Sequence, residues 1–214
     1  ISDYLELKIL KVLKYKKFAN IIICGGKSPR ILYHELSKKN IPWERVNFFL
    51  SDERLDSNSL NAEIIKSYLL KNYAIKANFF SIYNNNFDFK KINKFYIKNN
   101  FDFAILGVGI DGHFASIFPK LKYIKKILNN NLPPKLYLTE RSGKPFVKRI
   151  TMNLSLILKS KEIVLIFRLK KFYTYFQKNK HKVESIYFPI YYLINNKKEN
   201  LHFANERFFM QKVD

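Results

Sequence analysis

Apolar positions along the chain follow two rhythms. Over residues 3–17 they recur at Leu5, Ile9, Leu10, Val12 and Leu13, the spacing of one helical face. Residues 19–24 instead form a short apolar, β-branched run, the mark of a buried strand. Gly25-Gly26-Lys27-Ser28-Pro29 ends that run, and Ser28 is predicted to cap a helix that begins at Pro29 and stops near Asn40. Further strands are predicted at 46–50, 79–83, 103–106, 136–139, 149–153, 162–168 and 201–204. Helices are predicted at 61–70, 90–98, 154–159 and 170–180, and the polar stretch 51–58 reads as a loop. Strands that alternate with helical patterns imply an α/β fold: a mainly parallel, Rossmann-like open sheet with helices on both faces. Ligands of such sheets collect at the carboxyl ends of the strands, so the loops after strands carry the chemical interest.

Composition narrows the picture. A chain of 214 residues, 47% hydrophobic and 16% aromatic, has the makings of a sizeable core, and a disordered chain is excluded. One domain over residues 1–214 is expected. The lone cysteine, Cys24, cannot form an internal disulfide, so a disulfide-stapled scaffold is excluded and a reducing compartment is expected. Apolar runs are of strand length, well short of the roughly 20 residues of a membrane span. With an amphipathic, mixed-charge start at 1–17, we expect a cytoplasmic protein with no membrane partner.

Charge is the unusual property. The formal net charge is +22, which invites a nucleic-acid reading. Yet only 7 of the 39 basic residues are arginine, and 22 residues are asparagine. Lys, Asn, Ile, Tyr and Phe are the residues of A/T-rich codons, so much of the basicity reads as a solvated surface. No nucleic-acid partner is expected.

Three loops after strands hold candidate chemistry. Gly25, Gly26, Lys27 and Ser28 join a strand to a helix, where two glycines permit close backbone approach and free N–H groups face an anion. They form either a phosphate cradle or a tight turn with a capping serine. Asp52 and Arg54 project to similar sides of an extended loop, fit to hold a hydroxyl and an anion or to form a surface ion pair. Gly107-Val108-Gly109-Ile110-Asp111-Gly112-His113 places Asp111 and His113 at the end of a third strand. There a carboxylate can orient an imidazole as a base, or the pair can sit in an ordinary turn. Arg149 and Lys170-Lys171 flank later strands as further anion ligands. His34, His181 and His202 have polar or mixed surroundings and read as surface residues; no His/Cys cluster has metal-ligand spacing.

Together these segments resemble the 6-phosphogluconolactonase family, within the glucosamine-6-phosphate isomerase/deaminase superfamily. The resemblance rests on the Gly25–Ser28 loop with Pro29, on Trp43, on Val46-Asn47-Phe48-Phe49, on Asp52-Glu53-Arg54 and on Ser57-Asn58. Its strongest part is Leu106-Gly107-Val108-Gly109-Ile110-Asp111-Gly112-His113-Phe114-Ala115-Ser116-Ile117-Phe118-Pro119, joined later by Arg149-Ile150-Thr151-Met152. It spans residues 21–194. Deaminases of this pattern carry Asp-Glu-Tyr where this chain has Asp52-Glu53-Arg54, and they continue Gly-His-x-Ala-Phe-Asn-Glu where it reads Gly112-His113-Phe114-Ala115-Ser116-Ile117-Phe118, so the lactonase branch is favoured. Lys27 and Ser28 replace the family's Ser-Thr, and its late Gly-x-x-Lys is not intact, with Arg168 or Leu169 in place of the glycine.

The resemblance implies hydrolysis of 6-phospho-D-glucono-1,5-lactone, a small sugar-phosphate lactone, without metal or other cofactor. It implies catalytic roles for His113, Asp111, Arg54 and Asp52, and phosphate binding by Gly25, Gly26, Lys27, Ser28, Arg149 and Lys171. The alternatives are a deaminase or sugar-phosphate isomerase, and a catalytically degenerate sugar-phosphate-binding domain. In some protozoa such a domain forms the front of a fusion with glucose-6-phosphate dehydrogenase, and the Lys/Asn bias and missing initial Met are compatible with that covalent partner.

Overall fold

The structure, a computed structural model, describes residues 1–55, 60–83, 87–168, 174, 178, 186–197, 199–205 and 209–212. Helix α1 (Ser2–Tyr15) buries Leu5, Ile9 and Leu13, the i, i+4, i+8 stripe of its sequence. Its C-terminal carbonyls are closed by Arg45, whose guanidinium donates to Leu13 O and Lys16 O at 2.8 Å and to Lys17 O at 3.0 Å. The strands β1 (Ala19–Ile23), β2 (Val46–Leu50), β4 (Asn78–Phe80), β5 (Phe101–Val108), β8 (Ser160–Phe167) and β9 (Leu201–Asn205) lie parallel in one sheet. A seventh strand, β10 (Phe209–Lys212), closes one edge antiparallel to β9. The spatial order is β10-β9-β8-β5-β1-β2-β4, the mainly parallel α/β sheet expected. Ile21, Ile22 and Ile23 of β1 and Ile163 through Ile166 of β8 are fully buried, which explains their unbroken apolar runs.

From β1 the chain builds outward to β2 and β4, and from β5 outward to β8 and β9. The order therefore reverses between β1 and β5, and the loops leaving these two strands diverge to open a crevice. The chain also forms helices α2 (Arg30–Ser37), α3 (Asn61–Tyr68), α4 (Phe89–Lys98), α5 (Ile124–Ile127), α6 (Leu154–Ile157) and α7 (Ile190–Asn196). Asp88 caps α4 and Asn153 caps α6 through their side chains.

Several expectations need correction. Residues 51–58 do not read as one loop: Asp52–Arg54 form strand β3, paired antiparallel with β7 (Val147–Met152), which in turn pairs with β6 (Leu136–Ser142). This three-stranded sheet is separate from the main one. Its first strand is polar because its side chains serve the cleft and an adjoining helix, so no apolar alternation marks it. Ser28 makes no capping bond, and α2 begins at Arg30 with Pro29 as the flanking residue. The strand expected at 103–106 runs on through Gly107 and Val108. His202 is buried rather than superficial, because it lies in the interior strand β9, against Tyr4 of α1. The helix expected at 170–180, with Lys171, falls largely outside the described residues, as does His181. Helix α7 and strand β10 were not expected.

Candidate active site

A cleft of about 900 Å³ opens where the sheet order reverses. Its floor is the end of β1 and β5. Gly107 N donates to Cys24 Sγ at 3.0 Å, which ties the two strand ends together, and the Tyr33 hydroxyl donates to Cys24 O at 2.8 Å from helix α2. Burial pushes the Cys24 thiol up to about 12, so it is a packing residue and not a nucleophile.

On one side lies the turn after β1. Gly26 has φ +86°, a left-handed backbone that glycine adopts without cost. Gly25 is pressed against Asn61 so closely that a Cβ there would overlap its side chain. Lys27 and Ser28 line the cleft, and the Ser28 side chain lies over Gly107. The eight-residue helix α2 starts just beyond, with its first-turn N–H groups at the positive end of its dipole.

Opposite lies the loop after β5. Gly109 N donates to His113 O, and Gly112 N donates to Gly109 O, so residues 109–113 close a tight turn. Gly112 has φ +75°. The His113 Nδ1 and Asp111 Oδ1 atoms are 2.5 Å apart, and Asp111 Oδ1 also accepts from the His113 main-chain N–H at 3.3 Å. This packing requires Gly109, since a Cβ there would overlap the imidazole. Burial opposes ionisation of Asp111, but the bonds from His113 outweigh it and hold the carboxyl below its usual range. The pair stays open, with side chains 30% and 43% exposed.

The small sheet supplies the third wall. Its register sets Arg54 beside Arg149 and Asp52 beside Thr151. Arg149 is buried and donates to Ser142 O at 3.0 Å and Pro145 O at 2.9 Å. Burial and the neighbouring Arg54 lower its pKa, while Asp52 and Glu53 oppose that shift. The Phe118 ring has two partners: His113 stacks on it at 4.2 Å, and the Arg149 guanidinium lies 4.9 Å from its centroid. Asp52 is buried and fully engaged. It accepts from Ser51 Oγ and Ser116 Oγ at 2.6 Å each, and from Asn61 Nδ2 at 3.1 Å. Glu53 is wholly buried behind it, and burial pushes its carboxyl up to about 7 against three N–H groups that favour the ion.

One cleft therefore gathers Lys27, Ser28, Asp52, Arg54, Asp111, His113 and Arg149 with the Gly25-Gly26 turn; Lys171 lies outside the described residues. The structure adds residues that sequence reasoning did not select. Arg141 and Ser142 reach the cleft from the end of β6, Gly143 and Lys144 from the β6–β7 turn, Arg168 from just after β8, and Phe118, Lys120 and Glu140 from its rim. The Ser-Gly-Lys run at 142–144 is the one local sign that a turn was present there. Among the described residues, no group of three His, Cys, Asp or Glu side chains is placed to hold a metal, and no helix is long and apolar enough to cross a membrane.

Arrangement and topology define a class: an α/β protein whose cleft, at the switch point of a parallel sheet, gathers a histidine–carboxylate pair, a glycine turn and several cations. Comparison with known proteins narrows that class. Residues 1–202 match the model of the glucosamine-6-phosphate isomerase/6-phosphogluconolactonase family, and the chain belongs to that family. It is 29% identical over 180 residues to a 6-phosphogluconolactonase of Thermotoga maritima, covering 80% of this chain and 79% of that one. It is 28% identical over 218 residues to a 6-phosphogluconolactonase of Neisseria meningitidis serogroup A, covering 94% and 91%. The crystal structure of a 6-phosphogluconolactonase from Thermotoga maritima superposes with a TM-score of 0.71 at 27% identity, covering 89% of this chain and 87% of the other.

Proposed function

We propose that this chain hydrolyses 6-phospho-D-glucono-1,5-lactone to 6-phosphogluconate, a step of the oxidative pentose phosphate pathway. One observation carries the reading: an imidazole tied to a carboxylate faces a glycine-lined helix end and an arginine pair across a single cleft. The named relatives support it, as each is a 6-phosphogluconolactonase.

A lactone is an activated ester, so water suffices as nucleophile. Asp111 engages His113 Nδ1, which leaves Nε2 to take a proton from water as its oxygen bonds to the lactone carbonyl carbon. Collapse of the tetrahedral intermediate breaks the bond to the ring oxygen, and the same Nε2 returns the proton there. Arg54 faces the charge that develops on the carbonyl oxygen. The Gly25–Gly26 turn, Lys27, Ser28 and Arg149 hold the remote phosphate with Lys171, and so fix the carbonyl in reach of the water. Asp52, with its carboxylate occupied by Ser51, Ser116 and Asn61, acts by ordering the wall beside Arg54. The reading carries with it a cytoplasmic location, which cell fractionation tests.

The decisive assay follows lactone hydrolysis above the spontaneous rate, with His113→Ala as control. Wild-type turnover that this substitution abolishes is expected; undiminished turnover in His113→Ala would remove His113 from its role. Ammonia release from glucosamine 6-phosphate would point instead to the deaminase branch.

A further inference from the structure

Glu53 does not itself line the cleft, yet it is bonded to two residues that do, Arg54 and Asn61. It is fully buried, and its carboxylate accepts only main-chain bonds among those observed. Oε1 accepts from Arg54 N and Asn61 N at 2.7 Å each, and Oε2 accepts from Ala62 N at 2.8 Å. The last two donors belong to the first turn of α3, whose own flanking residue, Leu60, provides no side-chain cap. Glu53 thus caps a helix that starts eight residues further on, its acceptor oxygens set against the free N–H groups of the first turn.

Asn61 passes this anchoring on. Its main-chain N–H is held by Glu53, while its side chain reaches in two other directions. Nδ2 donates to Asp52 O at 3.0 Å and to Asp52 Oδ2 at 3.1 Å. The same amide packs directly against Gly25, where no Cβ would fit. One buried carboxylate therefore touches the Arg54 main chain directly, and reaches Asp52 and the Gly25 turn through Asn61.

We propose that Glu53 is a positioning residue for the reaction: with Asn61 as its arm, it sets the spacing between the Gly25 turn and Arg54 that a sugar phosphate spans. The inference rests on the lactonase reading above. A residue that served the fold alone would lower stability and leave the kinetics of the folded enzyme unchanged. A spacing device changes affinity and turnover in molecules that are folded, because a displacement of about 1 Å in a positioning contact is felt at the reacting carbon.

The test is Glu53→Gln, which preserves shape and sets an amide N–H₂ against main-chain N–H donors. Circular dichroism selects folded enzyme, kcat and KM are measured on the lactone, and 6-phosphogluconate binding is titrated. We expect kcat/KM to fall about tenfold or more and product affinity to weaken in parallel. Kinetics and product affinity both within twofold of wild type overturn the inference. Should Glu53→Gln fail to fold, Asn61→Ala takes over, since it keeps the Asn61 N–H on Glu53 and removes only the arm. The same losses support the proposal, and values within twofold overturn it. If neither variant folds, the two residues serve stability alone and the proposal fails. A wild-type enzyme without turnover would instead sink the lactonase reading, an outcome distinct from these.

Discussion

The sheet carries a histidine–carboxylate pair at each end. At the carboxyl end of β5, His113 and Asp111 sit on a glycine-rich turn facing the cleft. At the amino ends of β8 and β9, Glu162 lies 3.3 Å from His202 Nε2, accepts from Tyr4 at 2.9 Å and pairs with Lys8 at 2.7 Å. The chemical parts are similar and the settings are opposite. His202 and Glu162 are covered by α1, with side chains 8% and 17% exposed, and Tyr4 and Lys8 occupy the carboxylate. His113 has one acidic partner, an open face and a ring of cations across the cleft. On the lactonase reading, the pair is a tool where the parallel strands end and their loops diverge, and a clasp where the helix lies across them.

Substitutions should separate tool from clasp. The largest effect is expected from His113→Ala: kcat falls by about 10²–10⁴-fold, as loss of a general base predicts, with little change in melting temperature. Gly109→Ala should follow. Its methyl would overlap the imidazole and come within 2.7 Å of Asp111 Oδ1, so kcat/KM drops on the order of 10²-fold in steady-state assays while the fold survives. A restored rate in that variant would show that the pair tolerates displacement.

At the other end, the measurement is stability against pH. Burial alone would raise the Glu162 pKa, but His202, Lys8 and Tyr4 overcome it and bring the carboxyl down to about 2, from 4.5. A depressed acid stabilises the fold above its unfolded pKa, so this contribution is complete above about pH 5 and is lost as pH falls toward 2. Glu162→Gln should cost on the order of 2 kcal/mol in urea unfolding at pH 7, after allowance for partial exposure, and the deficit should vanish near pH 2. A deficit independent of pH would mean that packing, not charge, does the clasping. His202→Gln should cost about 1 kcal/mol and leave kcat/KM within twofold. A large kinetic loss there would dissolve the contrast between the two ends.

How much of this was legible in the sequence depends on range. The buried strands announced themselves through unbroken β-branched runs, and the Asp111/His113 turn through its glycines, because both signals are local. Strand β3 was hidden because Asp52, Glu53 and Arg54 are polar throughout; they find their partners at Asn61 and Ala62 across a loop, and at Ser116 and β7 far along the chain. His202 misled for the same reason, since Tyr4, 198 residues away, supplies its cover. The cations of the β6–β7 turn could not be told from the many solvated lysines, as only the register of β7 brings them to the cleft.

The bond from Gly107 to Cys24 has a practical consequence. The chain has a single cysteine, buried at the cleft floor and held as an unreactive thiol at neutral pH. For maleimide chemistry the folded protein is therefore a blank. A cysteine introduced at an exposed rim position such as Lys120 would take one label at one place, and a fluorophore there would report the arrival of an anion in the cleft without further engineering of the chain.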